Sequence, residues 1–234
     1  MDDQDHEAIP LEEPSVTTPV PGVPIEDGGK LNEAVTALQE AVPLVRTWMA
    51  EVHEWELLEP AAGDVLAFTH RHQGGVYRVA GRLHASASMV IARLKDHINE
   101  SRVTWDPDVE RVECVHSFGD NMEHVRSVVR MPFGLAPVTL DGIQHTTYME
   151  ESRTYFYLFT SLSDVVVGRE PDAQVTVGVT VRELDKDTGC EINAVFHCWW
   201  RTHWSVAWLV DPLLETHFFN AERMVRRAHL YEKK

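Results

Sequence analysis

The chain has 234 residues, 44% of them hydrophobic, and a formal charge of −16 from 37 acids against 21 bases, enough for one good core or two small ones. So acidic a chain speaks against a nucleic-acid partner, because gripping a phosphate backbone needs clustered Lys and Arg. It also speaks against strong attraction to anionic membranes, although a local basic patch could still dock transiently on one.

Half of that charge sits in the first 29 residues, which hold eight acids, five prolines and no Lys or Arg. Such a segment has too little apolar surface to offset the entropy of ordering, so residues 1–29 are expected to be a disordered leader ahead of one domain over 30–234. Cys114, Cys190 and Cys198 show no CxxC spacing, so neither a disulfide framework nor a zinc knuckle is indicated, and a reducing, cytoplasmic setting fits them. No basic segment followed by an apolar run opens the chain, and no stretch approaches the ~18 apolar residues of a spanning helix.

From Leu31, apolar residues recur at helical spacing through Val35, Leu38, Val42, Val45, Trp48, Met49 and Val52, with Pro43 expected to kink or split the helix. Asp64 to Arg71 and Val76 to Leu83 read as two strands joined through Gln73-Gly74-Gly75. Ser86 or Ser88 can cap the next helix, whose apolar face holds Ala87, Val90, Ile91, Leu94 and Ile98. Asp106-Pro107 ends it. The chain then turns strand-rich, with Val109–Phe118 and His124–Met131 flanking the turn Gly119-Asp120-Asn121, then Thr154–Ser161, Gln174–Glu183 and Glu191–Arg201. In the last two strands Val175, Val177, Val179 and Val181, and Ile192, Ala194, Phe196, Cys198 and Trp200, occupy one face each, as in an antiparallel sheet wetted on its other side. Asp211-Pro212 opens a long closing helix with Leu214, Phe218, Ala221, Met224 or Val225, and Ala228 on its apolar face.

The order of elements implies an α+β chain in which a sheet with one apolar face must bury that face, and the final helix is the natural cover. At this point the sequence resembles a family. The stretch VYRVAGRLHASASMVIARLKDHINESRVTWDP from Val76, its continuation VERVECVHSFGDNMEHVRSVVRM, and the closing WLVDPLLETHFFNAERMVRRAHL are similar to the START lipid-transfer domains over roughly residues 45–231. The resemblance implies a helix-grip fold, a curved antiparallel sheet wrapped around a long C-terminal helix, enclosing an internal apolar cavity for one hydrophobic ligand. Many START domains carry an Arg-Asp-Phe-type motif where this chain reads MPFGLAPVTLDGIQHTTYMEES. The acid–arginine pair of the sterol-binding members therefore cannot be placed, and the sequence does not choose among sterol, phospholipid, ceramide and fatty acid.

The cavity wall is expected from Val112, Cys114, Tyr155, Tyr157, Val177, Val179, Phe196 and Trp200, with Leu214, Phe218 and Met224 from the closing helix; each serves equally as plain core. Arg126 and Arg130 share a strand face and are candidate anchors for an anionic head group if that face points inward. His116 falls in phase with Cys114 and Val112, which makes it a candidate buried residue of the site. No metal site is indicated, since His70, His72, His197 and His203 lack an HExxH or Cys/His pattern, and no cofactor or catalytic nucleophile is either. An enzyme of the helix-grip superfamily acting on a hydrophobic small molecule is the alternative, with His116 or His145 as its first acid–base suspects. A third reading is an interaction module with a vestigial cavity. Trp199, Trp200, Trp204 and Trp208 suit either loop packing or an interfacial anchor. The expectation is a monomer.

Overall fold

A computed structural model describes residues 25–57, 65–95, 109–119, 121–130, 137–162, 173–184 and 189–200. The helix α1 (Ile25–Ala50) is followed by a single 3-10 turn, Val52–Glu54, and the strands β1 (Trp55–Leu57), β2 (Val65–His70) and β3 (Val76–Leu83). After α2 (Ala87–Leu94) come β4 (Val109–Gly119), β5 (Met122–Val129), β6 (Val138–Met149), β7 (Thr154–Ser161), β8 (Ala173–Glu183) and β9 (Cys190–Trp200). All nine strands form one curved antiparallel sheet in the order β1-β2-β3-β9-β8-β7-β6-β5-β4. The expected closing helix from Asp211, with Leu214, Phe218 and Met224, lies outside the described residues.

The two faces of the sheet carry different helices. On one, α1 buries Ala34, Leu38, Ala41, Val42, Val45 and Trp48 against Ile143, Phe156, Leu158 and Val195. On the other, α2 buries Ala87, Val90 and Ile91 against Tyr157, Phe159, Val179, Val181, Ile192 and Ala194. Ser86 caps α2, its hydroxyl accepting from the Met89 N–H at 3.3 Å, which satisfies one of the free amides of the first turn.

Pro43 does not split α1, which runs as one helix from Ile25 to Ala50. Proline removes a helical N–H, but Pro43 points outward while Val42 and Val45 on either side are anchored in the same cluster, so packing holds both halves on the sheet. The helix also opens at Ile25, ahead of Leu31. Its far end is clipped to β2: the His70 Nδ1 accepts from the His72 N–H at 3.2 Å, so its Nε2 carries the proton and donates to Glu51 Oε2 at 3.1 Å. Trp48 adds a bond from its Nε1 to Gln73 Oε1 at 2.9 Å.

The hairpin turns follow the sequence. Gly75 sits at φ 74°, left-handed backbone that favours glycine, and a Cβ there would press on the Cys198 carbonyl oxygen at 2.6 Å. Gly119 (φ 82°) and Asn121 (φ 60°) flank the β4–β5 turn. The strand β6 was absent from the expectations. Its residues Asp141, Gly142, Ile143 and Gln144 are all buried, so the two-residue alternation that identifies a half-wet strand is missing.

Gly178 of β8 faces Val45, and a Cβ added there would overlap the Val45 side chain. Gly178→Ala should therefore lower stability by about 1–3 kcal/mol through overpacking. A reduced urea midpoint would show it, and Val45→Ala in the same chain should recover part of the loss.

Candidate ligand-binding site

Antiparallel partners point to the same side of a sheet, so the register defines continuous rows on the α2 face. One row runs Gln144, Phe159, Val177, Phe196, Tyr77 across β6, β7, β8, β9 and β3. The next runs Thr146, Tyr157, Val179, Ala194, Val79, and a third Tyr148, Tyr155, Val181, Ile192. Tyr155, Tyr157, Val177, Val179 and Phe196 thus stand together as a single apolar wall. Within it Tyr155, Val175, Val177, Phe196 and Cys198 are only partly buried. Phe159 lays its ring over Gly142, where a Cβ would collide with it.

The wall continues toward β4 through Val125, opposite both Gly142 and Cys114. Val112 is buried there with Val109 and Val125, while Cys114 is half-buried. Trp200 closes β9 opposite Ala173, but its side chain, like all of Leu214, Phe218 and Met224, lies outside the described residues.

His116 is not brought to this wall. Cys114 pairs with Val125 and His116 with His124, so two residues of β4 advance against one of β5. That bulge turns His116 to the α1 face, where its ring meets Phe118 at 4.6 Å. Arg126 is on the α1 face as well. Its Nε donates to Asp141 Oδ1 at 2.8 Å, the carboxylate also takes His124 Nε2 at 3.2 Å, and Glu113 lies 3.6 Å from Arg126 Nη1. The Asp141 side chain is only 2% exposed, so the guanidinium compensates a buried charge. Arg130 is exposed and pairs with Glu110 at 3.4 Å. His145 pairs with Met122, between Gln144 and Thr146 and hence on the opposite face from both. The two arginines and the two histidines are therefore not gathered with the apolar wall.

The polar groups that do stand on the wall went unread in the sequence. Gln144 Nε2 donates to Glu123 Oε2 at 2.5 Å, and Gln144 Oε1 accepts from the Tyr157 hydroxyl at 3.4 Å. Thr146 is 7% exposed, and its Oγ1 has no hydrogen-bond partner among the described residues. Only the pairing of β6 with β7 reveals which of its side chains face Phe159 and Tyr157.

Electrostatics keep the wall's thiols and phenol neutral. Burial raises the Cys114 thiol, with the Glu123 charge adding to it against a lowering backbone hydrogen bond at His116. Burial also raises the Tyr155 hydroxyl, reinforced by Glu183 and Tyr148. Cys190 is pushed up to about 11 and Cys198 to about 12, both by burial. Among the described residues no group of three or more His, Cys, Asp or Glu could hold a metal ion, and no helix is long and apolar enough to cross a membrane.

No protein-family model and no curated protein sequence matches the chain. Solved structures do. Human STARD10 superposes with a TM-score of 0.65 at 13% identity, covering 83% of this chain and 82% of that one. The human StAR-related lipid transfer protein 5 gives 0.62 at 16% identity over 87% of this chain and 99% of that one. The STAR-related lipid transfer protein of Xanthomonas axonopodis gives 0.57 at 20%, over 75% and 99%. The chain has the START-like helix-grip fold that its sequence resembles.

The buried thiols set an alkaline limit. The folded values of Cys190 and Cys198 lie above the ordinary thiol value of 9.0, so the folded state keeps protons that the unfolded chain releases. Their contribution is fully present below pH 9 and is lost as pH rises toward 11 and 12. Urea midpoints at pH 8 and pH 10.5 should fall less in the Cys190→Ala/Cys198→Ala chain than in the parent. Asp141→Ala should cost about 2–3 kcal/mol, below the ~3–5 of a fully buried pair because Arg126 is part-exposed, again read from the urea midpoint.

Proposed function

We propose that the chain binds and transfers lipid, holding one hydrophobic ligand against the α2 face of the sheet without covalent catalysis. The observation that carries this reading is the row-by-row apolar wall from Tyr77 to Phe159, whose members Tyr155, Val175, Val177, Phe196 and Cys198 are left part-buried by α2. Ligand sites are largely apolar surfaces with a few convergent polar groups, and here those groups are Glu123, Gln144, Thr146 and Tyr157. The amphipathic segment from Asp211, with Leu214, Phe218 and Met224, supplies the cover and closes an internal cavity. Its opening at a membrane, in transient contact, lets one lipid in or out.

The other parts of the reading follow from the same chain. It acts as a monomer: β1 is three residues long, and β4, the other edge, is broken by register shifts at three places, features that discourage edge-to-edge pairing. Three free, protonated cysteines suit a cytoplasmic setting. The similar structures named as lipid-transfer proteins support the ligand class.

Native mass spectrometry of protein purified from cells tests this directly, together with exchange of a fluorescent lipid between vesicles. One lipid-mass adduct per chain and exchange above the spontaneous rate are expected. Val177→Asn, which places an amide on a part-buried wall position, should slow exchange about tenfold, matching ~1.5 kcal/mol of lost apolar contact. An adduct-free chain with no exchange would sink the reading.

A further inference from the structure

The polar cluster on the wall has a composition that discriminates between head groups, and this step rests on the lipid-binding reading above. Gln144 is 3% exposed, with its carboxamide held on one side by Glu123 and on the other by the Tyr157 hydroxyl. Its Nε2 has two hydrogens, and the bond to Glu123 uses one of them. On the neighbouring row, the buried Thr146 hydroxyl has no hydrogen-bond partner among the described residues. An unsatisfied buried hydroxyl costs about 1–3 kcal/mol, and valine would fill the same place without that cost. The fold therefore retains at this spot a hydrogen-bonding group that its own packing does not require.

Charge narrows what that group can meet. No Lys or Arg stands on the α2 face of any described strand; Arg78, Arg126 and Arg182 all belong to the other face. Among the described residues the basic groups on this side lie off the strands: Arg93 and Lys95 at the end of α2, the Lys95 Nζ donating to Asn121 Oδ1 in the β4–β5 turn at 3.2 Å, and Arg153 in the β6–β7 turn, held by Glu183 at 3.0 Å. Glu123 is instead the charged group beside Gln144, and its field reaches Cys114 along the same face. A carboxylate or phosphate brought here would lose its hydration and face a like charge with no strand-borne cation to compensate it. A hydroxyl or amide meets the available groups instead, accepting from the spare Gln144 N–H and exchanging a hydrogen bond with Thr146 Oγ1.

We infer that Glu123, Gln144, Thr146 and Tyr157 select a lipid with an uncharged hydroxyl or amide head group and reject fatty-acid carboxylates and phosphate lipids. The test is a matched pair sharing one acyl chain, N-oleoylethanolamine and oleate, titrated into the full chain at pH 8. The amide alcohol should bind at least tenfold tighter. Thr146→Val should weaken it about three- to tenfold, leave oleate unchanged, and hold or raise the melting temperature, while Thr146→Ser keeps most of the affinity. Equal or tighter binding of oleate overturns the head-group inference but leaves the lipid reading intact. A marked drop in the melting temperature of Thr146→Val overturns it too, since the hydroxyl would then serve the fold. Binding of neither probe, alongside absent vesicle exchange, removes the lipid reading and this inference together.

Discussion

β9 pairs with β3 on one side and with β8 on the other, and this double pairing joins the three N-terminal strands to the five strands β8 to β4. Because side chains alternate along a strand, a slip of one residue in either ladder would exchange the two faces of β9. Phe196 and Ala194 would then turn toward α1, and Val195 would leave the cluster beneath that helix. Both faces are apolar here, so hydrophobicity alone is a weak guard of register. Two glycines supply the missing specificity. Gly75 lets the β2–β3 turn lie against the Cys198 backbone, its carbonyl accepting from the Cys198 N–H at 3.0 Å. Gly178 admits Val45 of α1 where any side chain would obstruct it. The turn fixes one end of β9 and the helix fixes the neighbouring strand, so the rows on the α2 face inherit a single alignment.

The sheet also separates its ionic chemistry from its apolar wall. Asp141 is buried and pairs with Arg126 and His124 on the α1 face, while β5, β6 and the neighbouring β4 turn Val125, Gly142 and Cys114 to the other side. A buried carboxylate needs a cation, and meeting that need behind the sheet keeps guanidinium groups off the wall. The bulge at Val115 contributes by carrying His116 to the same side as His124. What remains at the Gln144 end of the wall is a short polar set, in which the carboxylate of Glu123 is held by an amide.

Much of this was readable in the residues, and the exceptions have physical causes. Thr154–Ser161 is found with the ends the pattern gave, and the valine and Ile192-to-Cys198 alternations lie on one face as their period of two requires. The glycine turns declared themselves by residue type, and of the two serines that could cap α2 the structure uses Ser86. His116 was assigned a face by counting twos from Val112, and a bulge is an insertion into that count that leaves no mark in composition. Counting places Arg126 and Arg130 on one strand face, but β5 ends at Val129, and which face of it looks toward which helix depends on long-range pairing that no local pattern encodes.

β6 is the instructive miss. Its α2-facing positions read Val138, Leu140, Gly142, Gln144, Thr146, Tyr148, and its α1-facing positions hold Asp141, Ile143 and His145. An interior position filled by Gln or Thr breaks the apolar alternation, and a buried Asp on the reverse side breaks the polar one. Local inconsistency of this kind is expected where a chain gives up packing for binding. The strand that the sequence pattern hides is the same strand that carries Gln144 and Thr146, and its concealment and the case proposed for its role share one cause: polar side chains at buried positions.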